Sequence, residues 1–275
     1  VHMALPRSWI LGILLCTAGL TACLWWMDGD TLRMALSANA SPRVVRLVSL
    51  EWPPYVGEQL PGQGASAMVL RKALAAAGLE LHIEFMPWAR VLETVRADTS
   101  YLGYFPEYYT EAQEDLFLFS QPMGASVLAF AEQRARPVPW ARLEQLAPYR
   151  VGVVQGYVNS REFDALVAAN VLQTEPVVDD RTNLRKLASG RLRLAVIDVM
   201  VFNYLLALDP SLTPLAGTLR LQEQRLEEKT LHVCLRKGPA GEAVLRALNS
   251  ALAGLDIHAE QAAALAAMTP SSSSH

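Results

Sequence analysis

Residues 103–123, Gly-Tyr-Phe-Pro-Glu-Tyr-Tyr-Thr-Glu-Ala-Gln-Glu-Asp-Leu-Phe-Leu-Phe-Ser-Gln-Pro-Met, restrict the fold more than any other part of the chain. An aromatic strand end, Tyr104-Phe105, runs into Pro106. Thr110 stands where an N-cap is needed before a short acidic turn, because its hydroxyl can accept from a first-turn N–H. The apolar run 116–119 follows, and Ser120-Gln121-Pro122 stops it. The stretch therefore reads as strand, capped helix, strand.

The same alternation continues on both sides. A strand over 43–50 ends at Trp52-Pro53-Pro54-Tyr55, where the double proline imposes an extended turn and denies further ladder bonds. That leaves two rings at the carboxyl end of a strand, the place where open α/β sheets bind ligands. Trp52 is read into the cleft and Tyr55 into the core, against the plainer alternative that one ring caps the core. Met68, Val69, Ala73, Leu74 and Ala77 fall at helical spacing over 65–77, and Gly78 closes that helix. A strand over 79–86 alternates, with His82 facing solvent. Pro87-Trp88 opens the next helix, placing Trp88 and Arg90 near its start.

After a strand over 126–131, polarity rises through Glu132-Gln133-Arg134 and Pro137-Val138-Pro139, a first crossing between two lobes. The second lobe reads as a short helix over 140–146, a strand over 149–154, the turn Gln155-Gly156-Tyr157 and a helix over 160–169. A glycine turn from strand into helix aims free backbone N–H groups at whatever lies above it. A helix over 183–190 and a buried strand over 192–198 follow, leaving Asp198 at the strand's end. It is read either as a ligand contact or as the N-cap of a helix over 199–208. A proline-punctuated loop leads to a returning strand over 229–237, then helices over 242–255 and 260–267 and a serine-rich tail. The organisation is thus 41–131 with 229–269 as one lobe, 132–228 as the other, and 270–275 as a disordered tail.

A formal charge of −3 gives no electrostatic footprint for nucleic acid. Part of the 52% hydrophobic share belongs to one segment: Arg7 precedes an apolar run from Trp9 to Trp26. This has the form of an export signal and also approaches the length of a spanning helix. Residues 1–40 are read as signal plus tether, with three outcomes open. Leu20-Thr21-Ala22-Cys23 resembles a lipobox and makes Cys23 a candidate for lipidation; Ala38-Asn39-Ala40 is a small-x-small cleavage site; the third outcome is an uncleaved anchor. All three place the folded part outside the cytoplasm, in the periplasm or cell envelope. Cys234 is read as a buried thiol within a strand, and no His or Cys spacing points to a metal or a cofactor.

Thr110 and Phe119-Ser120-Gln121-Pro122 resemble the Thr-x-x-Arg turn and Phe-Ser-x-Pro of the family 3 extracellular solute-binding proteins, the polar-amino-acid type. Trp52-Pro53-Pro54-Tyr55 is similar to that family's aromatic-x-Pro-aromatic loop, and Gln155-Gly156-Tyr157 to its Gly-Thr turn with Tyr157 in place of threonine. The interval from Gly190 to Asp198 also matches. The resemblance implies an α/β, type II periplasmic-binding-protein fold of two lobes, two hinge crossings and a cleft between them. It also implies contacts from Trp52, Phe105, Tyr108, Thr110, Gln155, Gly156, Tyr157 and Asp198. Gln113 stands where the family's carboxylate-gripping arginine belongs, so an amine-binding half of the site is retained and a carboxylate-binding half is not. Trp88 and Arg90 are further candidates, Arg90 as a replacement positive charge or as a solvated surface residue.

The expected function is a monomeric, non-catalytic protein that captures a small polar ligand, amine-bearing compounds among the candidates, for an inner-membrane ABC permease. Two alternatives stand beside it. One is a dehydratase-like enzyme using an acid from Glu107, Glu111, Glu114 or Asp115; the other is a periplasmic sensor or adaptor.

Overall fold

The computed structural model describes residues 43–268. The expectations for Cys23, the signal segment and the serine tail lie outside them. Nine strands form one sheet in the order β2-β1-β3-β9-β5-β8-β6-β7, with β4 also on β9. Their bounds are β1 Arg43–Ser49, β2 Leu79–Phe85, β3 Gly103–Tyr108, β4 Phe117–Phe119, β5 Gly124–Gln133, β6 Arg150–Val154, β7 Gln173–Val177, β8 Leu194–Asp198 and β9 Leu219–Arg236. The helices are α1 Ala65–Ala76, α2 Trp88–Ala97, α3 Glu111–Glu114, α4 Arg161–Ala168, α5 Asp180–Ala188, α6 Val199–Leu208, α7 Pro239–Ala253 and α8 Ile257–Ala266.

Strand β1 pairs in parallel with β2 and β3, and β6 in parallel with β7 and β8. Between these two parallel wings runs an antiparallel ribbon of β5 on β9, with register shifts at Leu128/Ala129 and Ala129/Ala131. The parallel strands are joined by helices because a parallel pair needs a crossover. α1 buries Val69, Leu70, Ala73 and Leu74, each fully buried large aliphatic contributing about 1.5–3 kcal/mol. A second cluster lies in the β6–β8 wing, where Phe130 meets Phe163 and Trp140 edge-on at 6.0 and 5.6 Å.

Two expectations about elements need correction. The stretch before Lys229 is strand rather than loop, since β9 begins at Leu219. Its residues 222–228 carry long polar side chains, Leu226 apart, with no alternation in burial, so the pairing with β5 is what makes it a strand. β5 and β9 consequently run straight through the two positions read as lobe boundaries. The turn at Gly156 does not open α4: three residues intervene before Ser160, whose Oγ accepts from Phe163 N at 3.3 Å and caps that helix.

Strand β3 is buried throughout. Gly103 faces Cys234 so closely that a Cβ would lie 1.9 Å from that residue's carbonyl oxygen. Between Tyr104↔Cys234 and Glu107↔His232 the strand holds one residue more than β9 does. This bulge falls where Pro106 has no N–H to donate, and a bulge of this kind re-aims the side chain that follows it. That side chain is Glu107.

Candidate functional site

Five segments meet at the carboxyl ends of β1, β3 and β6 around a narrow cavity of about 30 Å³, space for little more than a water molecule. Its lining is Leu50, Trp52, Trp88, Pro106, Glu107, Tyr108, Tyr157, Val158 and Leu231. The wall is apolar and aromatic, with Glu107 its one ionisable carboxyl group.

The Trp52 loop is held by its own backbone. Trp52 N donates to Val56 O at 2.9 Å and Val56 N returns the bond at 3.1 Å. Trp52 stacks on Tyr55 at 4.5 Å and meets Tyr108 edge-on at 6.1 Å. Tyr55 is buried behind it and donates from its hydroxyl to Asp198 Oδ2 at 3.2 Å. From the start of α2, Trp88 projects across to the β6–α4 turn and donates Nε1–H to Gly156 O at 3.0 Å. The positive φ of Gly156, +81°, lets the turn offer that carbonyl. Tyr157 completes the wall, edge-on to Trp88 at 6.0 Å. The turn thus presents an acceptor, while its Gln155 and Tyr157 N–H groups are spent on Val177 O and Val154 O.

Asp198 is enclosed. Oδ1 accepts from Met200 N at 2.7 Å and Val201 N at 2.9 Å, and Oδ2 from Val127 N at 3.1 Å and the Tyr55 hydroxyl. It caps α6 and ties β5 and the Trp52 loop together. Burial raises its pKa, and hydrogen bonds from Val201 N, the Ser126 hydroxyl, Met200 N and the Tyr55 hydroxyl oppose that rise.

The remaining expected residues are spread out. Phe105 is in the core, its carbonyl accepting from Ser49 Oγ at 2.6 Å. Thr110 caps α3 by accepting from Gln113 N at 3.2 Å, and it borders an open groove with Asn159, Arg161 and Lys229 instead of the cavity. Gln113 is half-buried, with Oε1 lacking a hydrogen-bond partner. Gln155 and Arg90 are exposed.

Glu107 is the acid that separates from its neighbours. Glu111, Glu114 and Asp115 are exposed, whereas Glu107 is buried. Its Oε1 accepts from Tyr108 N at 2.9 Å and its Oε2 from the Tyr104 hydroxyl at 3.3 Å. Desolvation pushes its pKa up to about 8, against the smaller pull of those bonds and of the Lys229 ammonium. Asp180, buried at the first position of α5, is pushed to about 8 by burial and then by Asp198 and Asp179. Lys229 donates to Asn159 O at 3.0 Å and stands 5.2 Å from the centre of the Tyr108 ring.

Asp180 and Lys229 do not stand out in the sequence. For Lys229 a signal exists, since it falls on the period-two face of Leu231, Val233 and Leu235. Asp180 carries none beyond its place in an Asp-Asp pair.

No family model matches the chain, and no curated protein is similar enough to match it. Solved structures do. The ligand-binding core of GluR0 from Nostoc punctiforme, in complex with L-glutamate, superposes with a TM-score of 0.65 at 17% identity over 82% of this chain and 98% of that one. An ancestral arginine-binding protein bound to arginine gives 0.67 at 15% identity over 84% and 100%. A histidine kinase sensor domain with similarity to periplasmic binding proteins gives 0.69 at 18% identity over 83% and 96%. At these identities the shared property is architecture. The chain has the α/β fold of the two-lobed periplasmic-binding-protein-like domains.

Proposed function

We propose that this protein is an extracytoplasmic solute-binding protein that captures a small ligand in the cavity between Trp52, Trp88, Tyr108 and Tyr157 and delivers it to an inner-membrane ABC permease. The observation that carries this reading is the position of the cavity. It lies at the carboxyl ends of parallel strands, the standard place for ligands in such sheets, and is walled by side chains from both wings. The lobes are 41–131 with 229–269, and 132–228; β5 and β9 are the hinge, bending at the irregular pairing beside Ala129. The fold is shared with proteins whose structures contain glutamate or arginine. The amino-terminal apolar segment and Cys23 fit export and lipid attachment.

The cavity wall supports binding over catalysis, because its single acid is surrounded by rings and aliphatic carbons, with no nucleophile among them. A second reading, a periplasmic sensor domain, is favoured by the Trp88–Gly156 bond, a direct contact across the cleft. A thermal-shift screen of amino acids, amines, sugars and organic acids tests capture, since a ligand bound only by the native state raises the melting temperature. A stabilising compound is expected; turnover of a compound that does not stabilise would sink the binding reading. Pull-down of a permease by the liganded form then separates transport from sensing.

A further inference from the structure

Deepening the ligand-binding reading, on which this rests, we infer that the ligand is an organic cation without a carboxylate, an amine or quaternary ammonium held by the rings of Trp52, Trp88, Tyr108 and Tyr157 with Glu107 as its counter-charge. Four of the lining side chains are aromatic and one is an acid. Ring faces attract a cation through their quadrupole, most strongly where water is excluded. Tyr108 already carries one: the Lys229 ammonium stands 5.2 Å from its ring centre. Glu107, which follows the bulge in β3, belongs to this lining, and its two hydrogen bonds leave room for a carboxylate to accept more.

The opposite charge finds no comparable place. Gln113 brings no cation, Arg90 is exposed on α2, and Lys229 is engaged with Asn159 O and Glu227 outside the cavity lining. A carboxylate entering the cavity would face Glu107 with only indole and phenol groups to donate, whereas an ammonium would relieve a buried acid of its missing partner. Because the space is tight, entry requires the Trp88–Gly156 contact to part.

Binding is therefore coupled to a proton. The groups around Glu107 are Tyr104 and Tyr108 on its own strand, His232, Cys234 and Lys229 on β9, and Tyr157 from the β6–α4 turn. Burial holds the phenols and the thiol neutral well above the usual range, and holds His232 below its usual value, so these stay uncharged near pH 8. Glu107, at about 8, must lose its proton to meet the cation. Affinity then rises by up to roughly tenfold per pH unit below that value and levels off above it.

Calorimetric titration of the folded chain with choline and with 3,3-dimethylbutan-1-ol, its uncharged carbon isostere, tests this at pH 6, 7, 8 and 9, beside putrescine, L-glutamate and glucose. The expected result is a cation bound at least about tenfold more tightly than the isostere, with affinity rising from pH 6 to 8. Glu107→Gln should lose both the preference and the pH slope. An isostere bound as tightly as choline, or glutamate or glucose bound in preference to both cations, overturns the cation assignment and leaves ligand capture standing. Binding of none of the compounds overturns the assignment and counts against capture as well. If Glu107→Gln does not fold, the comparison of choline with its isostere and the pH slope of the unmodified protein decide the matter.

Discussion

The indole N–H of Trp88 donates to the carbonyl of Gly156 at 3.0 Å, joining the first turn of α2 to the β6–α4 turn across the cavity. Trp88→Phe keeps a ring there and removes the donor. Gly156 is exposed, so its carbonyl gains water in exchange and the loss should be modest, about 1 kcal/mol by urea denaturation. The scattering radius should grow as the wings part. An unchanged radius would mean the bond does not hold them.

Asp198 is a structural carboxylate first. Asp198→Ala strips partners from Met200 N, Val201 N, Val127 N and the Tyr55 hydroxyl, and removes the cap of α6. The expected cost is about 3 kcal/mol or more, from the lost cap and the unpaired buried donors together. Asp198→Asn, which retains one acceptor oxygen, should cost less. A fully stable alanine variant would contradict the geometry.

Stability should decline as pH rises from about 5 to about 8. Glu107 and Asp180 have folded-state values near 8, against ordinary values of 4.5 and 3.8. Below the ordinary values both states hold the protons. Between the two values the folded state keeps protons that the unfolded chain releases, so raising pH favours unfolding, and above about 8 the effect is complete. Asp98, Glu175 and Asp209 are shifted downward, so their contribution is lost only at more acidic pH. Urea midpoints at pH 5.5 and 8.5 measure the slope, and the double variant Glu107→Gln with Asp180→Asn should flatten it.

Gly103→Ala should destabilise by about 3 kcal/mol, because the added carbon meets the Cys234 carbonyl and β3 and β9 must move apart to admit it. Thermal melting gives the direction at once. A neutral result would mean that β3 and β9 lie farther apart than their pairing indicates.

How much was legible in the sequence follows from which forces act locally. Thr110 and Gly78 announced their helix ends because caps and left-handed turns are short-range chemistry. The β1 strand and the Trp52 loop were equally plain. The polar start of β9 was not, since its strand state comes from pairing with residues almost a hundred positions earlier. The site divided in the same way. Trp52, Trp88, Tyr108 and Tyr157 were named and line one cavity, whereas Gln155, Arg90 and Thr110 were named and lie elsewhere. Glu107 was grouped with an exposed acidic turn, and only the bulge at Pro106 sets it apart. Lys229 carries only the period-two signal of its strand, and Asp180 depends wholly on tertiary contact.

The central claim, that ligand is held between these four rings, is tested most directly by hydrogen exchange of the protein with and without a stabilising compound. The account predicts slowed exchange in residues 50–57, 86–90, 104–109 and 155–159. Protection confined to another surface, such as the groove between α1 and α8 around Met68 and Ala263, would contradict it.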